Sequence, residues 1–289
     1  MASYNAGGKE SKGLGVKARR IIAYVVLVLV TIMCLIWFYI LFVNATRSKG
    51  ELTAGFTPIP SKYLWTNWKN LCAGTLPIVR GMLNSLWVAL ASAVLSTYFS
   101  TMTAYAIQVY DFKIKKFMFT FILMIMTIPT QVTALGFIQL VDNMGLMNSY
   151  IPLIVPAIAA PSVFFYMKQY MESSLPLALV EAARIDGSGE FLTFNTIVLP
   201  LMKPAIAVQA IFTFVSSWNN YFTPALVLQD NNMKTLPILI ATLRGADFMK
   251  FDMGQVYVMI AFSIFPVIIV YLFMSKYIVG GIALGSVKG

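Results

Sequence analysis

Six stretches of this chain run nearly free of charge for about 20 residues each: 21–43, 83–107, 117–140, 150–170, 204–226 and 256–277. The polar residues are gathered into the segments between them. A hydrocarbon core about 30 Å thick needs about 20 apolar residues at 1.5 Å rise, which is the length of each run. Barrel strands would be short and alternating, whereas these runs are long and continuous, so the pattern predicts helices. The fold class expected is an all-α integral membrane protein with six transmembrane helices.

Composition agrees with that pattern. The 289 residues are 59% hydrophobic and 11% charged, with mean hydropathy +0.78, against about 25% charged residues in a soluble domain. Thirteen of the 21 lysines and arginines fall at the ends that share a side with the N-terminus, including the run from Lys9 to Arg20. The positive-inside rule then places both termini in the cytoplasm, with residues 1–20 as a basic tail. This topology accounts for most of the +10 net charge, so no nucleic-acid partner is expected. Val43-Asn44-Ala45 loosely resembles a cleavage site, but the apolar run before it exceeds the usual 7–15 residues. An uncleaved first helix is expected. Cys34 falls inside that helix and Cys72 in the segment after it, with no partner pattern for a disulfide or metal site.

Several function classes lose support from what the sequence lacks. There is no histidine, and none of the 11 acidic residues falls inside a run. Proton-coupled transporters usually need ionisable groups at membrane depth, and membrane hydrolases need a nucleophile with a base or a metal. An ion-coupled secondary transporter is weakened rather than excluded, since carbonyls and hydroxyls can hold sodium. Gly7-Gly8-Lys9-Glu10 lacks the spacing and hydroxyl of a phosphate-binding loop. The chain is expected to be no enzyme and to hold no cofactor or metal, so any ATP and Mg must be bound by another subunit.

The most polar interior element is EAARIDGSGE, residues 181–190. Ser173-Ser174-Leu175-Pro176 before it reads as a helix start, and 175–185 as a short helix. Gly187 is placed to end it, and Ser188 to cap a second helix with Glu190 at its positive end. Ala182 and Ala183 give the first helix a low profile, and Glu181 and Asp186 supply charge. An ordinary amphipathic re-entry segment and a docking helix fit this spacing equally.

Two places suggest a cavity. Thr127 and Gln131 stand four apart around Pro129, on one face of a kinked third helix. Trp218-Asn219-Asn220-Tyr221 lies about 22 Å along the fifth, where amides and aromatic faces suit a sugar. An interfacial aromatic belt is the competing account. The polar segment 229–253 that follows can touch an external partner.

The run Glu181-Ala182-Ala183-Arg184-Ile185-Asp186-Gly187, with Ile197, Leu199-Pro200 and Pro204, resembles the EAA motif of bacterial ABC importer permeases. Asn84-Ser85, Ile128-Pro129, Trp218-Asn219, Thr235-Leu236-Pro237 and the ending from Gly280 to Gly289 are similar to the smaller permease of maltose-transporter-type carbohydrate importers. The resemblance implies a type I importer transmembrane domain over residues 21–289. Its cytoplasmic coupling element, about residues 174–200, would lie between the fourth and fifth spans. It also implies a second permease subunit, two cytoplasmic ATPase subunits and an extracellular sugar-binding protein, in a bacterial inner membrane. Glu181, Ala182, Ala183, Asp186 and Gly187 would then dock the ATPase, and Ser286, Val287, Lys288 and Gly289 would reach it as a tail. Thr127, Gln131, Trp218, Asn219, Asn220 and Tyr221 remain candidates for the sugar cavity. Lys168 and Lys276 sit at the cytoplasmic ends of their runs and no lysine or arginine lies in a run's interior, so a neutral sugar, by resemblance an oligosaccharide, is favoured over glycerol phosphate.

Overall fold

The computed structural model describes residues 15–245 and 252–285, and every regular element among them is helical. Four helices are long and apolar enough to cross a bilayer: Lys17–Ala45, Ile78–Val109, Ile151–Ser174 and Met253–Tyr277. Two further candidates are bent pairs, Lys115–Ile125 with Thr130–Asn143 at 99° and Glu190–Leu201 with Lys203–Trp218 at 81°. The chain is thus a multi-pass, all-helical membrane protein.

The packing centre is the long helix Ile78–Val109, flanked by Lys203–Trp218 and Pro161–Ser174, and the last helix, Met253–Gly285, packs against Lys203–Trp218 and the first helix. Between Ser85 and Ala104 the long helix's buried face is, Val88 apart, a run of small residues: Ser85, Ala89, Ser92, Ala93, Ser96, Thr97, Ser100, Thr101 and Ala104. Steps of three and four align them on one side, and without large side chains the neighbouring backbones come close. The two threonines bond within the helix, Thr97 Oγ1 to the Ala93 carbonyl (2.8 Å) and Thr101 Oγ1 to the Thr97 carbonyl (2.6 Å), whereas Ser92 and Ser100 donate across to the carbonyls of Leu153 (3.5 Å) and Ala160 (3.4 Å). A similar close approach fixes Gly81, where an added Cβ would stand 2.3 Å from Leu239 Cδ1.

Two expected helices are broken. The run 117–140 is two helices, because Pro129 has no N–H for the first and sits as the N-cap of the second. The fifth helix ends at Trp218, and Phe222–Val227 begins separately after Asn219 to Tyr221. The segment 44–81 also carries structure. Ser48 and Glu51 form a reciprocal capping box, and Asn67 Nδ2 donates to the carbonyls of Ala45 (3.0 Å) and Arg47 (2.9 Å) from a buried position. Hydrogen bonds to these otherwise orphaned carbonyls close the end of the first helix. The segment 229–253 is less free than its polarity suggests. Within it, helix Leu236–Arg244 buries Leu236 and Leu239 against Phe214, Trp218 and Met259.

Candidate functional site

The polar element folds as helix, glycine turn, helix. The first helix is Leu177–Ile185, starting after Pro176, whereas Ser174 is the last residue of Pro161–Ser174 and starts nothing. The helix ends in a Schellman arrangement: Ser188 N–H donates to the Ala183 carbonyl (2.9 Å) and Gly187 N–H to that of Arg184 (3.0 Å). Gly187 has φ +77°, and nothing lies within 4 Å of where its Cβ would be, so glycine is favoured by backbone conformation rather than by crowding. Ser188 does not cap the second helix. Gly189 holds that position without a side-chain bond, and Ser188 Oγ accepts instead from Thr193 Oγ1 (2.9 Å). The second helix runs through Glu190–Thr193, a π-helical turn at Phe194–Val198 and Leu199–Leu201.

This element is tied to the long helix by contacts with no signature in the sequence. Arg184 Nε donates to Glu190 Oε1 (2.6 Å) across the glycine turn, and Tyr105 OH donates to Glu190 Oε2 (2.8 Å). The Arg184 guanidinium also lies 5.3 Å from the Tyr110 ring centroid. Two turns earlier on the long helix, Tyr98 OH donates to Asn195 Oδ1 (3.1 Å). Arg184, with the tyrosine hydroxyls assisting, holds the Glu190 carboxyl down to about 2. A depressed carboxylate stabilises fully above its ordinary value near 4.5, and that contribution is lost only as pH falls toward 2. The latch is therefore charged throughout the neutral range.

Glu181, Ala182, Asp186 and Gly187 are exposed on this element, while Ala183 is buried at 6%. Ala183 packs inward and cannot present a surface, but its carbonyl closes the turn. The tail from Ser286 to Gly289 lies outside the described residues.

The cavity candidates do not converge. Thr127 sits in the break between two helices and Gln131 on the helix beyond it, so the pair shares no helix face. Trp218 is 3% exposed and stacks on Phe214 in the core at 5.8 Å. With Asn219 and Tyr221 it borders a cavity of about 220 Å³ against helix Leu236–Arg244. Asn220 faces the other way, into a cavity of about 410 Å³ lined also by Ser92, Ser96, Gln209, Thr213 and Ser216. No charged side chain lines this second cavity, and Ser96 Oγ is buried beside it without a hydrogen-bond partner. Sequence reasoning missed it because its hydroxyls come from three separate helices. Their spacing within each helix was the only available signal.

Two motif fragments far apart in sequence meet. Ser85 Oγ accepts from Leu236 N–H (2.8 Å), and Asn84 Nδ2 donates to the carbonyls of Asn232 (2.9 Å) and Lys234 (3.0 Å). Asn84-Ser85 thus holds the start of the helix that follows Thr235.

An all-helical bundle with a latched polar element on one face and an uncharged cavity is the build of a transport subunit. The description "Binding-protein-dependent transport system inner membrane component" matches residues 96–283, and the chain belongs to this family. It is a permease, with sugar-permease relatives. It is 41% identical to the arabinooligosaccharides transport system permease protein AraQ of Halalkalibacterium halodurans, over 71% of this chain and 73% of that one. Identity is 37% to AraQ of Bacillus subtilis (strain 168), over 80% and 81%. It is 30% to the sn-glycerol-3-phosphate transport system permease protein UgpE of Yersinia pestis, over 91% and 95%. Among solved structures, a bacterial ABC transporter involved in the import of the acidic polysaccharide alginate superimposes with TM-score 0.79. That match covers 92% of this chain and 99% of the other at 21% identity, a likeness of fold.

Proposed function

We propose that this chain is one of two permease subunits of an ATP-driven importer for a neutral oligosaccharide in a bacterial inner membrane. With six spans, the pair Lys115–Ile125 and Thr130–Asn143 crossing once and Lys203–Trp218 crossing beyond its 81° bend, the helix–turn–helix lies on the cytoplasmic side with both termini. There the exposed Glu181–Gly187 face docks into one of two ATPase subunits, which bind ATP and Mg. The latch through Glu190 to Tyr105, and through Asn195 to Tyr98, makes the element and the long helix move together. ATP binding closes the ATPase pair, the element is displaced, and the long helix carries that displacement to the cavity, which reopens outward. Hydrolysis resets it. An extracellular binding protein delivers the sugar. The first helix, whose apolar window has no buried residue, leaves surface for lipid and for the second permease.

The observation that carries the substrate class is the cavity of about 410 Å³ faced by Ser92, Gln209, Thr213, Ser216 and Asn220 with no lysine or arginine. Neutral hydroxyls and amides pair with sugar hydroxyls, whereas a phosphate ester calls for fixed cations. Glycerol phosphate, for which the UgpE relatives are named, is the second reading. A thermal-shift screen of the binding protein that co-purifies with the complex tests the choice. Oligosaccharides are expected to raise its melting temperature. A response to glycerol phosphate alone would overturn the neutral-sugar assignment.

A further inference from the structure

The long helix Ile78–Val109 and the last helix, Met253–Gly285, both pack on Lys203–Trp218, and the three line a groove of about 660 Å³. Ala93, Thr97 and Phe214 are buried at its floor, and Leu90, Val94 and Phe273 are exposed at its rims. One face of Lys203–Trp218 runs its length, carrying Lys203, Ile206, Ala210 and Phe214 in order at steps of three and four. The polar groups gather where that face begins. Tyr98 OH donates there to Asn195 Oδ1 (3.1 Å), on the second helix of the polar element, while Val94 and Leu90 follow one and two turns back along the long helix. Lys203 is the one charged side chain among the described residues lining the groove; it is exposed and enters neither ion pair among them.

Length and polarity together describe an occupant. Lys203 and Phe214 are 11 residues apart on one helix, about 16 Å at 1.5 Å per residue. That is close to half of a hydrocarbon core about 30 Å thick, the depth of one leaflet. A groove with a cation at one end and apolar walls for one leaflet matches a single acyl chain under an anionic head. A membrane-crossing helix of a partner would run about twice that depth, whereas the lining ends at Leu90, Phe214 and Val270.

We infer that this groove holds an anionic phospholipid, with its phosphate at Lys203 and one acyl chain along Ile206, Ala210 and Phe214. With the topology proposed above, the lipid comes from the cytoplasmic leaflet, whose negative surface potential suits a lysine placed there. The chain lies against Tyr98 and against Leu199 and Pro200 of the polar element, so it fills the angle between that element and the helices its displacement would move. The groove shares no lining residue with the uncharged cavity, so its occupancy does not depend on which solute is carried.

Photolabelling of the whole detergent-purified complex, with phosphatidylglycerol carrying a diazirine in its acyl chain, tests this. Adducts are expected within residues 90–98, 206–214 and 270–274. Unlabelled phosphatidylglycerol should displace them at a concentration about fivefold lower than phosphatidylcholine does, the effect of about 1 kcal/mol at one lysine. Lys203→Gln should keep the adducts and lose that difference, whereas Lys17→Gln, at another exposed lysine, should keep both. Ala210→Phe, which puts a ring into the groove from a half-buried position, should remove the adducts from a complex that still assembles. No adduct in the wild-type groove, the outcome if a helix of the second permease filled it, would overturn the inference. So would equal displacement by the two lipids, a difference that survives Lys203→Gln, or adducts that survive Ala210→Phe.

Discussion

Glu181→Lys is expected to leave the chain inserted and folded while removing ATPase association. Glu181 is exposed on Leu177–Ile185 and enters no ion pair among the described residues, so its replacement should change stability by only about 0.5 kcal/mol. Its effect would come from docking. Reversing a carboxylate that meets a basic group in a buried interface costs about 2 kcal/mol or more, a loss of about 30-fold or greater in affinity. Co-purification of the ATPase with tagged variant and a melting curve of the chain separate the two contributions. A normal complex with normal uptake would remove Glu181 from the interface.

Substitutions at Gly187 are expected to fall in an order set by backbone preference. Asparagine tolerates φ +77° best, alanine is intermediate, and valine is a genuine outlier at a cost of about 1–3 kcal/mol. Relaxing the turn moves Ser188 away from the Ala183 carbonyl and pulls Glu190 from Arg184, so the two halves of the element lose their fixed angle. ATP-driven uptake by Gly187→Asn should stay near wild type and that of Gly187→Val should be nearly lost, with ATP hydrolysis no longer matched to uptake. If asparagine is as damaging as valine, the ATPase is seated so closely that no Cβ fits. Crowding by the partner would then replace conformation as the reason for glycine.

Reading the chain as a sequence reached the elements whose cause is local. A 20-residue apolar run fixes a membrane helix wherever it stands, and the first, second and last runs agree with Lys17–Ala45, Ile78–Val109 and Met253–Tyr277 to within a turn or two. Gly187 was legible because a Schellman helix end takes a residue at positive φ, where glycine is favoured. The 99° bend before Thr130 was foreshadowed only as a kink, since proline reports the missing N–H but not where the chain goes next. The Ser188 cap failed because Thr193 competes for its hydroxyl. The Tyr105–Glu190 bond joins residues 85 apart, and the Leu236–Ser85 bond residues 151 apart. Neither has a local pattern. The same holds for the uncharged cavity, whose serines each look like a close-packing residue until three helices are set side by side.

Uptake into proteoliposomes decides most directly whether this chain is driven from outside itself. Both permeases are reconstituted with the sugar-loaded binding protein, with and without the ATPase, and accumulation of labelled sugar is followed. Accumulation is expected only when ATPase and ATP are both present on the cytoplasmic side, and it should vanish with Glu181→Lys. Accumulation driven by a proton or sodium gradient with no ATPase in the vesicle would contradict the account and restore an ion-coupled carrier.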